Sequence, residues 1–223
     1  MPLAPDKKPE SMGQTAYRQL REAIETGVLA PGDRISVNGL ADQLSISRTP
    51  VREAIAWLET DGLIVHQPYL GRVVAQLDHQ MVNELYAVRM MLEPAAAAMA
   101  ARNATDAEIA VLKEMVVFEQ SILDNAIERA RHNRRFHEAV YRTAHNRYVI
   151  STLNALQTSM ILLGPATANN PDRLKTAYAE HVDLVECIAA RDANGAEKLI
   201  ARHLAEGQRV HIKYLLGRQQ PPT

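Results

Sequence analysis

The chain has 223 residues, 47% of them hydrophobic, and a formal net charge of −1. That length suits one large domain or two smaller ones, and no run approaches the roughly 18 apolar residues that a membrane span needs. The first 76 residues hold eight Lys and Arg against nine Asp and Glu, so nucleic-acid binding through bulk positive charge is excluded and any such contact needs a local cluster, or two clusters pooled in a dimer.

Residues 1–13 are predicted to be a disordered lead: Pro2, Pro5 and Pro9 punctuate them, and no apolar segment follows Lys7 and Lys8 as a secretory signal would require. Residues 14–29 read as a first helix, with Tyr17, Leu20, Ile24 and Val28 on one face. Pro31-Gly32-Asp33 is a turn, and Val37 to Leu44 is a short helix with Leu40, Ala41 and Leu44 apolar. After Ser45-Ile46, Ser47 is expected to cap a third helix through its hydroxyl. Pro50 is tolerated in that first turn, where N–H groups lack helical partners. Val51, Ala54, Ile55 and Leu58 make the buried face, and Gly62 suits a left-handed terminus. Leu63 to His66 and Arg72 to Val74 read as short strands around a turn from Pro68 to Gly71. Helix, helix, short turn, helix and hairpin make a winged helix-turn-helix over 14–76.

With the apolar face turned inward, Ser47, Arg48, Thr49 and Arg52 face outward near the start of the third helix. Arg48 and Arg52 are four apart and share a face, the arrangement required by a helix whose first turns enter a major groove. A guanidinium can bind phosphate or fork onto guanine O6 and N7. Arg34 and Arg72 are expected to flank the site as phosphate contacts, with Gly71 in the wing turn. Two arginines on a short helix can also be only a solvated face. Trp57 is expected to pack at the domain boundary.

Residues 77–218 are dominated by helix formers at helical spacing, interrupted by Pro94 and by break signals at Gly164-Pro165 and Asn169-Asn170-Pro171; 219–223 are a tail. This predicts an all-α helical bundle, so the fold class is mostly α. Cys187 is the only cysteine, which rules out an internal disulfide and fits a reducing cytoplasm. On the long helix from Leu77 to Asn103, Arg89 falls on the stripe of Val82, Leu85, Leu92, Ala96 and Met99. A buried arginine is costly unless paired; it is either a structural pair with Glu93 or a clamp for a ligand carboxylate. Three further apolar stripes each carry a histidine. His137 lies among Ala130, Asn133, Val140, Tyr141 and Ala144; His181 among Leu174, Tyr178, Leu184, Val185 and Ile188; His203 among Ala196, Leu199, Ile200, Gly207 and Val210. Three inward histidines on three helices suggest a metal, with Zn or Ni foremost. His66, His79, His132, His145 and His211 read as surface or locally hydrogen-bonded groups, and no acid–base pair stands out beside the three.

Pro31-Gly32-Asp33-Arg34, Leu40-Ala41, the run from Ser47 to Ala54, Leu58-Glu59 and Asp61-Gly62-Leu63 closely resemble the GntR family of transcription regulators. Asn38 and Gly39, and Tyr69 and Leu70 in the wing, depart from common members and imply an altered operator preference or weaker backbone contacts. Arg89 to Glu93, Asn133 to His137, Asn146, His181 and Asp192…Ala196…His203 resemble the FCD sensor domain of the FadR subfamily. That resemblance implies a divalent metal held by an Asp and three His, with Asn133 standing here in place of the Asp beside His137, His181 and His203. It also implies a homodimer on inverted-repeat operator DNA. The expected effector is a small organic acid bound at the metal, with Arg89 and Tyr141 as further contacts, whose arrival shifts the DNA-binding domains and releases a repressor from DNA. The rival readings are a metal-ion sensor and a helical metallo-hydrolase; His137-Glu138 begins a zincin-like motif but lacks its second histidine.

Overall fold

The computed structural model describes residues 10–122, 124–163 and 171–218. The chain divides into two compact units between Gln76 and Leu77.

The first unit is built of α1 (Met12–Glu25), α2 (Val37–Leu44), α3 (Arg48–Thr60), β1 (Ile64–Gln67) and β2 (Gly71–Val74). Ser11 and Gln14 form a reciprocal capping box that starts α1 two residues before the predicted boundary. The helix also ends at Glu25, so Val28 lies beyond it and is 72% exposed; the buried face is Ala16, Leu20 and Ile24. On α3 the predicted face of Val51, Ala54, Ile55 and Leu58 is buried to the last residue. Ser47 is the N-cap by position, but its side chain makes no capping bond; its hydroxyl is left for another partner. Gly62 adopts φ 74°, where a glycine terminates a helix without a Cβ clash. β1 and β2 pair antiparallel, Ile64 opposite Val74 and Gln67 opposite Gly71, and Val73 also bridges to Arg34. β1 is displaced by one residue from its predicted span, and β2 begins one residue earlier and ends where predicted. Within this unit the Trp57 ring meets Tyr17 of α1 edge-on, with centroids 6.1 Å apart.

The second unit is helical throughout its described residues: α4 (His79–Asn103), α5 (Asp106–Ser121), α6 (Ala126–Thr143), α7 (Arg147–Ile161), α8 (Pro171–Ala189) and α9 (Ala193–Arg218). α4 begins at His79 because Asp78 caps it, accepting a bond from the Met81 amide. Thr105 caps α5 with a reciprocal box to Glu108, and Asn146 caps α7. The core joins Val82, Tyr86 and Ala100 of α4 to Leu112 and Val116 of α5, Phe136 and Val140 of α6, Leu184 and Ile188 of α8 and Ile200 and Leu204 of α9. A smaller cluster sets Ala96 against Tyr141, Ala144 and Leu153. Gly164-Pro165 and Asn169-Asn170 lie outside the described residues. Among the described residues, no helix is long and apolar enough to cross a membrane.

Candidate functional site

Two sites emerge, one on each unit. On the first, burial of Val51, Ala54, Ile55 and Leu58 fixes the rotation of α3 and leaves Ser47, Arg48, Thr49 and Arg52 exposed together. On the same unit a groove of about 530 Å³ is lined by Arg34, Ser36, His66, Gly71 and Arg72, with Ile35 and Leu70. Arg34 holds the wing, donating from Nε to the Leu70 carbonyl at 2.9 Å. Arg72 is paired with Glu59 of α3 at 2.7 Å, both partly exposed. Gly71 has φ 79° in the hairpin turn. His66, opposite Arg72 across the hairpin, joins the groove without having been singled out from the sequence. The face can therefore offer cations to a phosphate backbone although the chain as a whole is nearly neutral.

On the second unit, His137 of α6, His181 of α8 and His203 of α9 are all buried, and one ligand atom from each lies within 4.8 Å of the others. The other members of their three predicted stripes are at least half-buried. Asn133 is half-buried, one turn before His137.

Spacing in the sequence singled out no carboxylate for these rings; in the structure one lies close to the Nδ1 of each. Glu119 of α5 has both oxygens close to His181 Nδ1, at 2.8 and 3.1 Å. Glu180 Oε2 lies 2.8 Å from His203 Nδ1. Glu93 Oε2 of α4 lies 3.5 Å from His137 Nδ1. Glu119 comes from a helix to which the sequence assigned no role, and it stands 62 positions from its histidine. Glu180 is itself bound by Arg173 Nη1 at 2.8 Å, and Arg173 Nη2 reaches the His203 carbonyl at 3.2 Å; this second buried arginine was also missed.

Burial favours neutral rings. It pushes His137 below the ordinary imidazole range, against the upward pull of the Glu93 carboxylate 3.5 Å from its Nδ1. His203 is driven well below that range by burial, then by its neighbours His181, His137 and Arg173. Burial alone would raise Glu93, but Arg89 and then His137 outweigh it and hold its carboxyl far below the usual range. Glu119 is likewise lowered, burial being overcome by the hydrogen bond and charge of His181.

These donors fit a divalent ion. Neutral imidazole is the ligating form, and His181 Nε2 is buried with no hydrogen-bond partner while its Nδ1 is engaged by Glu119. Nitrogens sharing a tetrahedral Zn at about 2.0–2.1 Å sit about 3.4 Å apart, within a small side-chain adjustment of the separation observed. Carboxylates behind the rings fix their orientation and raise their basicity.

Arg89 forms the pair with Glu93. Its Nε donates to Glu93 Oε1 at 2.6 Å, both side chains are buried, and its guanidinium lies 4.7 Å from the centre of the Tyr86 ring. Tyr141 is buried beside His137, with ring centroids 6.2 Å apart and its hydroxyl unpartnered. His132 and His211 are buried, not superficial. His211 bonds Tyr86 Oη and the Gly207 carbonyl, each at 2.9 Å.

Against known proteins, residues 12–92 match the family described as bacterial regulatory proteins, gntR family, and residues 84–206 match the FCD domain. The chain belongs to the gntR family and carries an FCD domain. It is a DNA-binding transcription regulator. The regulator is 27% identical over 203 residues to the HTH-type transcriptional regulator YdhC of Bacillus subtilis, covering 90% of each chain. It is 27% identical over 221 residues to the HTH-type regulator McbR of Escherichia coli, covering 96% of this chain and 98% of that one. The solved structure of E. coli McbR/YncC superposes with a TM-score of 0.77 at 25% identity, over 92% of this chain and 98% of the other. A GntR regulator from Rhodococcus sp. RHA1, 19% identical, shares the fold with a TM-score of 0.75 over 93% and 99% of the two chains.

Proposed function

We propose that this regulator is a homodimeric repressor, acting in the cytoplasm and not as an enzyme, whose grip on an inverted-repeat operator is controlled by a small carboxylate bound at a metal in the FCD domain. The boundaries 14–76 and 77–218 are the proposed DNA-binding and sensor domains. Arg48 and Arg52 read base edges or phosphates with Ser47 and Thr49, while Arg34, Gly71 and Arg72 approach the backbone. His137, His181 and His203 hold the ion, Zn or Ni, with Asn133 as a fourth, neutral ligand or a place for water. The ion supplies a fixed positive charge to a buried site, which an anionic ligand relieves. Arg89 and Tyr141 stand beside that ligand, Arg89 contributing a charge already shared with Glu93.

One observation carries this reading: the ligand atoms of three buried histidines from three helices lie within 4.8 Å of one another, and a carboxylate backs each ring. Effector and DNA must shift each other's affinity by the same factor. The test is DNA binding at fixed ionic strength, because phosphate contacts are strongly salt-dependent. Carboxylates that raise the melting temperature should weaken operator binding, and a chelator should abolish both effects. Binding of the acids unaffected by chelator would remove the metal from the account.

The carboxylates behind the histidines also favour tight metal binding, which supports metal sensing as a second reading. Metal-free protein that no longer distinguishes operator from random DNA would select it. Glu138 gives no support to the hydrolase alternative: it is paired with Arg142 at 2.5 Å on the same helix.

A further inference from the structure

Four non-glycine residues among the described ones have a left-handed backbone: Ser45, Tyr69, His145 and Arg191. Three of them have a local explanation. Ser45 ends α2, its amide bonding the Ala41 and Asp42 carbonyls. His145 Nε2 lies 3.0 Å from Glu108 Oε2, and Arg191 Nη1 donates to the Ala104 carbonyl. Tyr69, in the turn between β1 and β2, has φ 66° and is 103% exposed. A bulky residue is strained in that region, which glycine or asparagine adopts more readily. The turn thus carries an aromatic ring against its conformational preference and buries none of it. Strain of this kind points to a binding role. Leu70 beside it is 47% exposed, so the wing ends in two neighbouring apolar side chains.

The tip is held in place relative to α3. Arg34 Nε donates to the Leu70 carbonyl and the Ile35 amide to the Arg72 carbonyl, each at 2.9 Å. Arg72 is paired with Glu59 of α3 at 2.7 Å. Glu59 follows Arg52 by two turns, about 10 Å, on the same side of that helix. Tyr69 is at most about 10 Å of extended chain from Arg72. A turn of duplex covers about 34 Å and holds one groove of each kind, so a helix seated in the major groove has a minor groove about 17 Å away. The tip can reach it. That groove is about 6 Å wide, too narrow for a helix but open to a single ring. Neither Tyr69 nor Leu70 carries a charge for the phosphates. Apolar side chains entering a minor groove part neighbouring base pairs and kink the duplex, most cheaply at flexible TA and CA/TG steps.

We infer that Tyr69, backed by Leu70, enters the minor groove beside the major groove occupied by α3 and wedges open a flexible base step. The regulator then selects operators by the deformability of a flanking step as well as by the bases that α3 touches. This rests on the reading of α3 as the recognition helix and adds to it a second, shape-reading element.

The test uses the full chain and a random-sequence duplex pool from which bound DNA is selected. Wild type should enrich a core with a TA or CA/TG step at a fixed distance outside it. Tyr69→Asn, which suits the turn, should enrich the same core without that step. On the wild-type-selected duplex, Tyr69→Asn should bind about 10-fold more weakly, the effect of losing one base–aromatic stack. Its dependence of affinity on salt should be unchanged, because no phosphate contact is lost, and its melting temperature should be no lower than that of wild type. Tyr69→Phe keeps the ring and should match wild type. With 2-aminopurine at the flanking step, fluorescence should rise on binding wild type or Tyr69→Phe and stay flat with Tyr69→Asn. A wild-type selection with no flanking step, or equal affinity and fluorescence in Tyr69→Asn, would overturn the inference. So would a weaker salt dependence in Tyr69→Asn, which would make the residue a phosphate contact, or altered self-association with DNA binding intact, which would make the tip a protein contact. Enrichment of the same core by Arg52→Ala would instead overturn the reading of α3 on which it rests.

Discussion

Glu119 Oε2 lies 2.8 Å from Nδ1 of His181, a buried contact that ties α5 to α8. It leaves Nε2 as the ring nitrogen available to a metal. Glu119→Gln, which keeps the shape and removes the charge, should weaken zinc binding by about 10- to 100-fold, the usual effect of losing an acceptor behind a ligating histidine. Competition with a chromophoric chelator measures this. Unchanged affinity would mean that the contact only fills space.

Arg48→Ala and Arg52→Ala should each abolish detectable operator binding in gel shifts, while the unfolding free energy changes by no more than about 0.5 kcal/mol, since exposed side chains contribute little to stability. Both residues are exposed on α3. Wild-type operator affinity in either variant would displace the recognition surface from this helix.

The buried Arg89–Glu93 pair makes a different prediction. Glu93→Gln leaves Arg89 charged without its carboxylate and should destabilise the protein by about 3–5 kcal/mol in urea unfolding. Removing both charges in Arg89→Met/Glu93→Leu should recover most of that loss, because the desolvation penalty disappears with the pair. A double variant no more stable than Glu93→Gln would show that the pair serves more than charge balance.

His211 sets an acid limit. Burial pushes its imidazole down to about 4, the Gly207 carbonyl only partly opposing this. The folded form therefore binds its proton less readily than the unfolded chain, whose imidazole titrates near 6.5. Stability from this residue is fully present above about pH 6.5 and is lost as pH falls toward 4, by about 3 kcal/mol in all. In metal-free protein, His211→Gln should flatten the fall of stability with acid by up to one proton between pH 6.5 and 4, in denaturant titrations at fixed ionic strength. Equal slopes would refute the assignment.

Legibility in the sequence followed the range of each interaction. The buried face of α3 and the inward histidines are periodic features, so spacing alone placed Val51, Ala54, Ile55 and Leu58, and His137, His181 and His203, on the faces they occupy. Motif resemblance supplied the family. Spacing said nothing about Glu119, because its partner lies 62 residues away. Glu180 is adjacent to His181 in sequence but serves His203, 23 residues on. Arg89 shows the limit of local reading. Its partner four residues away was visible, but the burial of both groups and their 2.6 Å contact came only from the structure. Ser47 failed differently: its residue type suits a cap, yet the hydroxyl makes no such bond.

The most direct measurement is equilibrium dialysis of the full chain against zinc, with His137→Ala, His181→Ala and His203→Ala beside wild type. One saturable ion per wild-type chain, lost or greatly weakened in every variant, is the expected result. No saturable binding by the wild type, or equal zinc in the three variants, would contradict the metal centre and with it the proposed control of this regulator.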